Sequence, residues 1–391
     1  MDKIVKTKLR NGMTQYIRTA VGLGKNVYLA LSVRAGSVNE YGGDNGIAHF
    51  LEHVQMCFDK KMPGLVDCFA YTDFYSTTYY FNSTVDKIED VLEIIKCIIT
   101  GVYITNECIG IIRQDVMDEY YKLDCNRKAS DFQYVLKNSE FIQRMPIGRL
   151  KNIMEFQKEQ VWSFFEQWYC TDNMALVVMM NEDSDDITYV KEKLREIHDI
   201  TKLNLSKKIV VPLHYRHDSG KVYNIPQMGE SRVSMLYVYP QFCMPVIPVE
   251  KIVECLLQEF LETDNLKSEL ECLGVEVKKV LFTPEEAFMR IRIKEPVDCV
   301  EAYKKMLVLL RGLKAENIIS FWNKTDISGS LIGINCNTAR QECINNFVYG
   351  ECLFSLEEEQ KVYLQLKSED IFPVLKSMLT IFEQLPVTIL R

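Results

Sequence analysis

One order of apolar patterns occurs twice along this chain. Residues 4–9, 13–18 and 26–34 alternate as strands do, the first two joined by the hairpin signal Arg10-Asn11-Gly12. The glycine-rich turn Tyr41-Gly42-Gly43-Asp44-Asn45-Gly46 leads into a short helix at about 46–56. Two extended stretches rich in Tyr, Phe and Thr follow, up to Phe81. Ile88, Val91, Leu92, Ile95 and Ile98 then mark a helix with one core-facing side. Further helices are expected at 106–124, 128–138 and 158–169, then a buried strand Met174–Met180 and a polar helix to about 199. A polar, basic stretch at 200–220 reads as a linker. Beyond it come strands at 221–225 and 231–239, a helix at 246–261, strands at 275–283 and 286–294, and more helices. The halves share order and no sequence identity. This predicts an α+β chain of two homologous domains, 1–205 and 206–391, each a mostly antiparallel sheet with helices on one face.

Composition narrows the function classes. At 391 residues, 47% apolar, the chain is long enough for two cores and too apolar for disorder. A net charge of -8 gives no footprint for nucleic acid, and no apolar run reaches the roughly 18 residues of a membrane span. The thirteen cysteines include no CxxC pair, so a cysteine-rich zinc site is not expected. The start of the sequence lacks the basic-then-apolar pattern of a secretory signal. Together with the many thiols, this predicts reduced, mostly buried cysteines and a cytoplasmic protein.

Two of the five histidines stand in His49-Phe50-Leu51-Glu52-His53. At i and i+4 on a helix, two imidazoles project from one face and reach one metal ion. Glu52 lies on the neighbouring edge, placed to act on a water as general base rather than as a ligand. Unrelated surface histidines would explain the spacing only by chance, and histidine is scarce here. Catalytic zinc takes three protein ligands, so another must come from elsewhere. The helical stretch Arg113–Tyr120 offers Asp115, Asp118 and Glu119, with Asp115 and Glu119 one turn apart; one can ligate while the other orients a histidine. Residue types alone do not choose among them. A second pair, His214 and His217, has no glutamate at a useful spacing and reads as solvated.

Leu9–Ile17 and Val33–His53 resemble the start of the M16 (insulinase and processing-peptidase) metallopeptidases. Ala70–Tyr80, Val116–Glu119 and Trp168–Val178 continue the resemblance in the right order. It implies one zinc held by His49, His53 and Glu119, with Glu52 as the activating base. It also implies two α+β domains in a clam-shell chamber, where a peptide adds as a strand beside Phe69, Ala70, Tyr71 and Thr72.

Three departures stand out. The segment between His53 and Glu119 is short for the family, trimmed at Lys60–Asp67. Ile112 replaces a glutamate expected seven residues before Glu119, which leaves Asp115 as the substitute. The stretch Asn265–Val277 lacks the arginine and tyrosine with which the family's C-terminal half stabilises the oxyanion. The resemblance then implies a heterodimer, in which a paralogous partner supplies that pair. The type it resembles is the zinc-bearing subunit of small bacterial pairs, including those that trim leader peptides from ribosomally made bacteriocins. The same departures motivate the alternative, a catalytically inactive structural or peptide-binding subunit.

Overall fold

The computed structural model describes residues 2–61 save 42, 66–125, 139–202, 248–281, 286–323 and 336–384, with short stretches at 222–223, 233–242 and 387–390 and single residues 64, 136 and 213. The helix expected at 128–138 save Leu136, the 200–220 linker beyond Lys202 save Leu213, and the His214/His217 pair lie outside the described residues. The chain divides into two compact units. The first is Met1–Lys122 with Gln143–His214 and Ile334–Ser355; the second is Leu123–Ile142, Tyr215–Gly333 and Leu356–Arg391.

The first unit holds six strands: β1 (Lys3–Lys8), β2 (Thr14–Ala20), β3 (Asn26–Val33), β4 (Asp67–Thr72), β5 (Thr77–Thr84) and β6 (Met174–Asn181). Their order in the sheet is β1-β2-β6-β3-β5-β4, antiparallel except for the β2/β6 pair. Helices α1 (Ile47–Gln55), α3 (Ile88–Thr100) and α4 (Asn106–Cys125) follow the expected positions closely, and a short helix α2 (Cys57–Lys61), not expected from the sequence, follows α1. The α3 stripe of Ile88, Val91, Leu92, Ile95 and Ile98 is buried in one core with Leu29, Leu31, Leu176 and Val178 of the sheet.

The opposite face of the sheet is covered as well. Tyr16, Ala30, Tyr80, Ala175 and Val177 pack against Cys343, Ile344 and Phe347 of the helix Cys336–Tyr349. That is why β6 is apolar without alternation: a strand buried on both faces has no polar side. Charge fastens the helix there. Arg340 is fully buried and donates to the carbonyls of Leu29 and Phe81, both at 3.2 Å. Arg18, held by Asp2 at 2.6 Å, reaches Glu342 at 2.7 Å.

The second unit has β7 (Val222–Tyr223), β8 (Val233–Phe242), β9 (Gly274–Leu281), β10 (Glu286–Lys294) and β11 (Val387–Leu390) in the order β7-β11-β8-β10-β9. Its core joins Leu256, Leu257, Val275, Ile291, Ile293, Met306 and Ile318 with Ile371 and Leu375. Sheet and helices in both units match the expected α+β class.

The start of α1 depends on a backbone crossing. Gly46, at φ 100°, precedes the helix, and Gly148, at φ 74°, crosses it so closely that a Cβ on Gly148 would lie 2.3 Å from Gly46 Cα. Gly148→Ala is expected to destabilise the first unit by roughly 2–5 kcal/mol, from left-handed strain plus overpacking. Gly22→Ala, at φ 92° with nothing within 4 Å of a Cβ, is expected to show the strain alone, about 1–2 kcal/mol. Urea unfolding of the two variants separates these contributions.

Candidate metal centre

Helix α1 forms where the sequence turns from glycine-rich loop to apolar periodicity. It buries Ile47, Ala48, Phe50, Leu51 and Val54, which leaves His49, Glu52 and His53 on its remaining side. The imidazoles meet edge to face, with centroids 4.7 Å apart and Nε2 atoms 3.2 Å apart. From α4, Glu119 Oε2 lies 3.2 Å from His53 Nε2 and 3.7 Å from His49 Nε2. Donors about 2.0–2.1 Å from one tetrahedral zinc are separated by about 3.3 Å, so these three atoms have the spacing of zinc ligands.

Glu52 also offers an oxygen within 4.8 Å of both histidines, so two carboxylates compete for the third place. Glu119 is the better ligand on geometry, because its distances match a tetrahedral edge. Glu52 is otherwise engaged. Its Oε2 accepts a hydrogen bond from Thr72 Oγ1 at 2.6 Å, and the residue is 6% exposed.

The local electrostatics treat the four groups differently. Burial lowers the His49 pKa to about 4, helped by the nearby His53, which keeps its imidazole neutral as a metal ligand requires. Burial opposes charging of His53, but the hydrogen bond to Glu119 and the surrounding carboxylates outweigh it and raise its pKa. The same bond lowers the pKa of Glu119. Burial raises Glu52 to about 7, near where a general base operates.

Asp115 stands one turn before Glu119, and its carboxylate pairs with Lys60 of α2 at 3.0 Å. His49 Nδ1 is buried without a hydrogen-bond partner among the described residues, so neither Asp115 nor another described group holds that ring through Nδ1. Ile112, 2% exposed, belongs to the core of the first unit. Phe69, Ala70, Tyr71 and Thr72 lie on β4, which among the described residues pairs with β5 alone and forms one edge of the sheet. Phe69 is 48% exposed and stacks on Tyr80 at 4.5 Å, and Tyr71 is 61% exposed. Among the described residues no helix is long and apolar enough to cross a membrane.

Two contacts were not evident from residue patterns. One is the Thr72–Glu52 bond, visible only once β4 is set beside α1. The other is Glu40, whose Oε1 accepts from the backbone N–H groups of Gly46 at 3.0 Å and Ala48 at 3.2 Å and so caps α1 from six residues upstream.

Residues 23–145 match the insulinase family, peptidase family M16. The first half of the periplasmic protease PqqL from Escherichia coli superposes with a TM-score of 0.74 at 15% identity, over 99% of this chain and 91% of that one. The chain therefore shares the fold of that protease, and the candidate ligands His49, His53 and Glu119 fall within the residues matched to the M16 family. The probable zinc protease PqqL of Haemophilus influenzae is 26% identical over 223 residues, 51% of this chain and 24% of that protein. The chloroplastic stromal processing peptidase of Oryza sativa subsp. indica is 24% identical over 229 residues, 54% of this chain and 18% of that one. The chain thus spans a quarter or less of the length of these two relatives.

The relatives correct the expectation of a cytoplasmic protein. They are described as periplasmic or chloroplastic. The inference failed because thiol count reports packing rather than compartment. Cys57, Cys108 and Cys343 are buried and in no disulfide, and a buried thiol packs as a small apolar group wherever the protein resides.

Proposed function

We propose that this chain is the zinc-bearing subunit of an endopeptidase. The observation that carries the reading is the three-atom set of His49, His53 and Glu119 at tetrahedral spacing, beside the buried Glu52 carboxylate, which accepts a hydrogen bond from Thr72. Zinc bound there supplies Lewis-acid polarisation of the scissile carbonyl. Glu52 takes a proton from the attacking water and returns it to the departing amine. The free edge of β4 receives the peptide as an added strand, so recognition is mainly of backbone. Asn265–Val277 offers no arginine or tyrosine, and a paralogous partner chain completes the oxyanion site. Unfolded peptides, including leader segments of ribosomally made precursors, are the substrate class. The intact donor set favours this reading over an inactive subunit: His49, its side chain 10% exposed, turns Nε2 toward His53 and Glu119 within 3.7 Å, a convergence that a bound cation would satisfy.

The test begins with the metal. The purified chain is expected to bind one zinc, and His49→Ala or Glu119→Ala to weaken that binding by about 100-fold or more, read by competition with a chromogenic chelator. A wild-type chain that binds no zinc overturns the proposal. Full-rate cleavage by the chain alone overturns the partner but leaves the peptidase standing.

A further inference from the structure

We propose that Thr72 is a positioning residue for Glu52, so that the strand receiving the peptide also holds the general base. This rests on the reading of Glu52 given above. The strand assignment would make Thr72 one more backbone contact. Its side chain does something else. Phe69 and Tyr71 stand exposed, whereas Thr72 is 3% exposed, and its hydroxyl donates to Glu52 Oε2 at 2.6 Å. A buried hydroxyl donating to a carboxylate at that distance makes a strong, directional bond. With Oε2 engaged, Oε1 is the oxygen left to take a proton.

The support behind Thr72 is stiff. Thr77, its register partner on β5, sits 3.1 Å from the Thr72 hydroxyl and donates to the carbonyl of Ala35 at 2.8 Å. The turn between them is closed by Asp73, whose Oδ1 accepts the backbone N–H groups of Tyr75 and Ser76, both at 2.7 Å. Ser37 and Val38 donate their N–H groups to the carbonyls of Asp73 and Phe74 at 3.1 and 3.0 Å. A Cβ on Gly36 would lie 2.4 Å from the Asp73 carbonyl oxygen, so no other residue permits that approach. Tyr349 adds a bond to Asp73 Oδ2 at 3.1 Å. Thr72 is therefore fixed by its own strand, by β5 and by the 36–38 loop. The hydroxyl transmits that rigidity to a carboxylate that must be correctly aimed.

Thr72→Val keeps the shape and the β-branch and removes the hydroxyl; Thr72→Ser keeps the hydroxyl. Both are compared in the 391-residue chain with zinc, using fluorescein-labelled unfolded casein as probe and Glu52→Gln in parallel. Thr72→Val is expected to lower kcat by about 10- to 100-fold with KM within about twofold, because a misaimed base costs rate rather than binding. Thr72→Ser is expected to stay within about threefold of wild type, and zinc affinity to be unchanged in both. A second readout needs no activity. In chain carrying 13C at the glutamate carboxyls, the Glu52 signal, identified by its loss in Glu52→Gln, should move in Thr72→Val and stay in Thr72→Ser. An unmoved signal, or wild-type kcat in Thr72→Val while Glu52→Gln is inactive, overturns the positioning role alone. Wild-type cleavage by Glu52→Gln overturns the base assignment and the positioning role with it.

Discussion

Glu52→Gln is expected to leave zinc bound and to lower kcat for peptide cleavage by about 10²- to 10⁴-fold, the range of a lost general base. The substitution suits the question because it changes so little else. The amide matches the carboxylate in shape, and its carbonyl oxygen can still accept from the Thr72 hydroxyl, whose Oγ1 stands 2.6 Å from Oε2 in wild type. It cannot take a proton from water. The zinc ligands proposed here are His49, His53 and Glu119, whose mutual distances of 3.2–3.7 Å do not involve Glu52, so metal affinity should change little. The pattern of unchanged zinc stoichiometry, nearly unchanged KM and collapsed kcat identifies an interaction made in the transition state. Equal rates for wild type and variant would remove Glu52 from the chemistry. Loss of zinc in the variant would instead make Glu52 a ligand and return Glu119 to the solvated carboxylates of α4.

How far the site could be read from sequence depended on whether its geometry was local. The histidine spacing lies within one helix turn, so a helix at 46–56 already placed both imidazoles on one side, and α1 spans Ile47–Gln55. Glu119 needs two helices to meet. Periodicity left it level with Asp115 and Asp118, the family resemblance favoured it, and the packing of α4 brings its carboxylate to the histidines while Asp115 turns to Lys60. Thr72 was legible only as strand. The pairing of its hydroxyl with Glu52 depends on the sheet edge lying against α1, and no spacing rule encodes that. The fold shows the same split. Strand and helix positions followed from period and turn chemistry, while the packing of Cys336–Tyr349 against the first sheet could not be seen. Its Ala339, Cys343, Ile344 and Phe347 are interleaved with asparagines, Gln341 and the buried Arg340, so no clear apolar stripe marks the helix as one that covers a sheet.

The second large effect concerns Glu40 and pH. Its side chain lies beneath the start of α1, 1% exposed, with Oε1 on two backbone N–H groups and Oε2 buried without a partner among the described residues. Burial raises its pKa to about 8, against the lowering effects of those N–H groups and of Arg144 and with a small addition from Asp44. In the unfolded chain a glutamate titrates near 4.3. Between these limits the folded state holds a proton that the unfolded state has released, so folding loses about 1.4 kcal/mol for each pH unit gained. Stability conferred by this group is therefore greatest in mild acid and falls as pH rises toward 8. Glu40→Gln fixes the neutral form and removes that slope. From pH 6 to 8.5 the variant should gain roughly 2–3 kcal/mol relative to wild type, read as diverging urea midpoints of the first-unit transition through Trp162 and Trp168 fluorescence. Glu52 and the histidines titrate in both proteins and cancel in the difference. Parallel profiles would mean that Glu40 stays ionised, with the positive end of α1 and its two N–H bonds stabilising the charge more than burial opposes it.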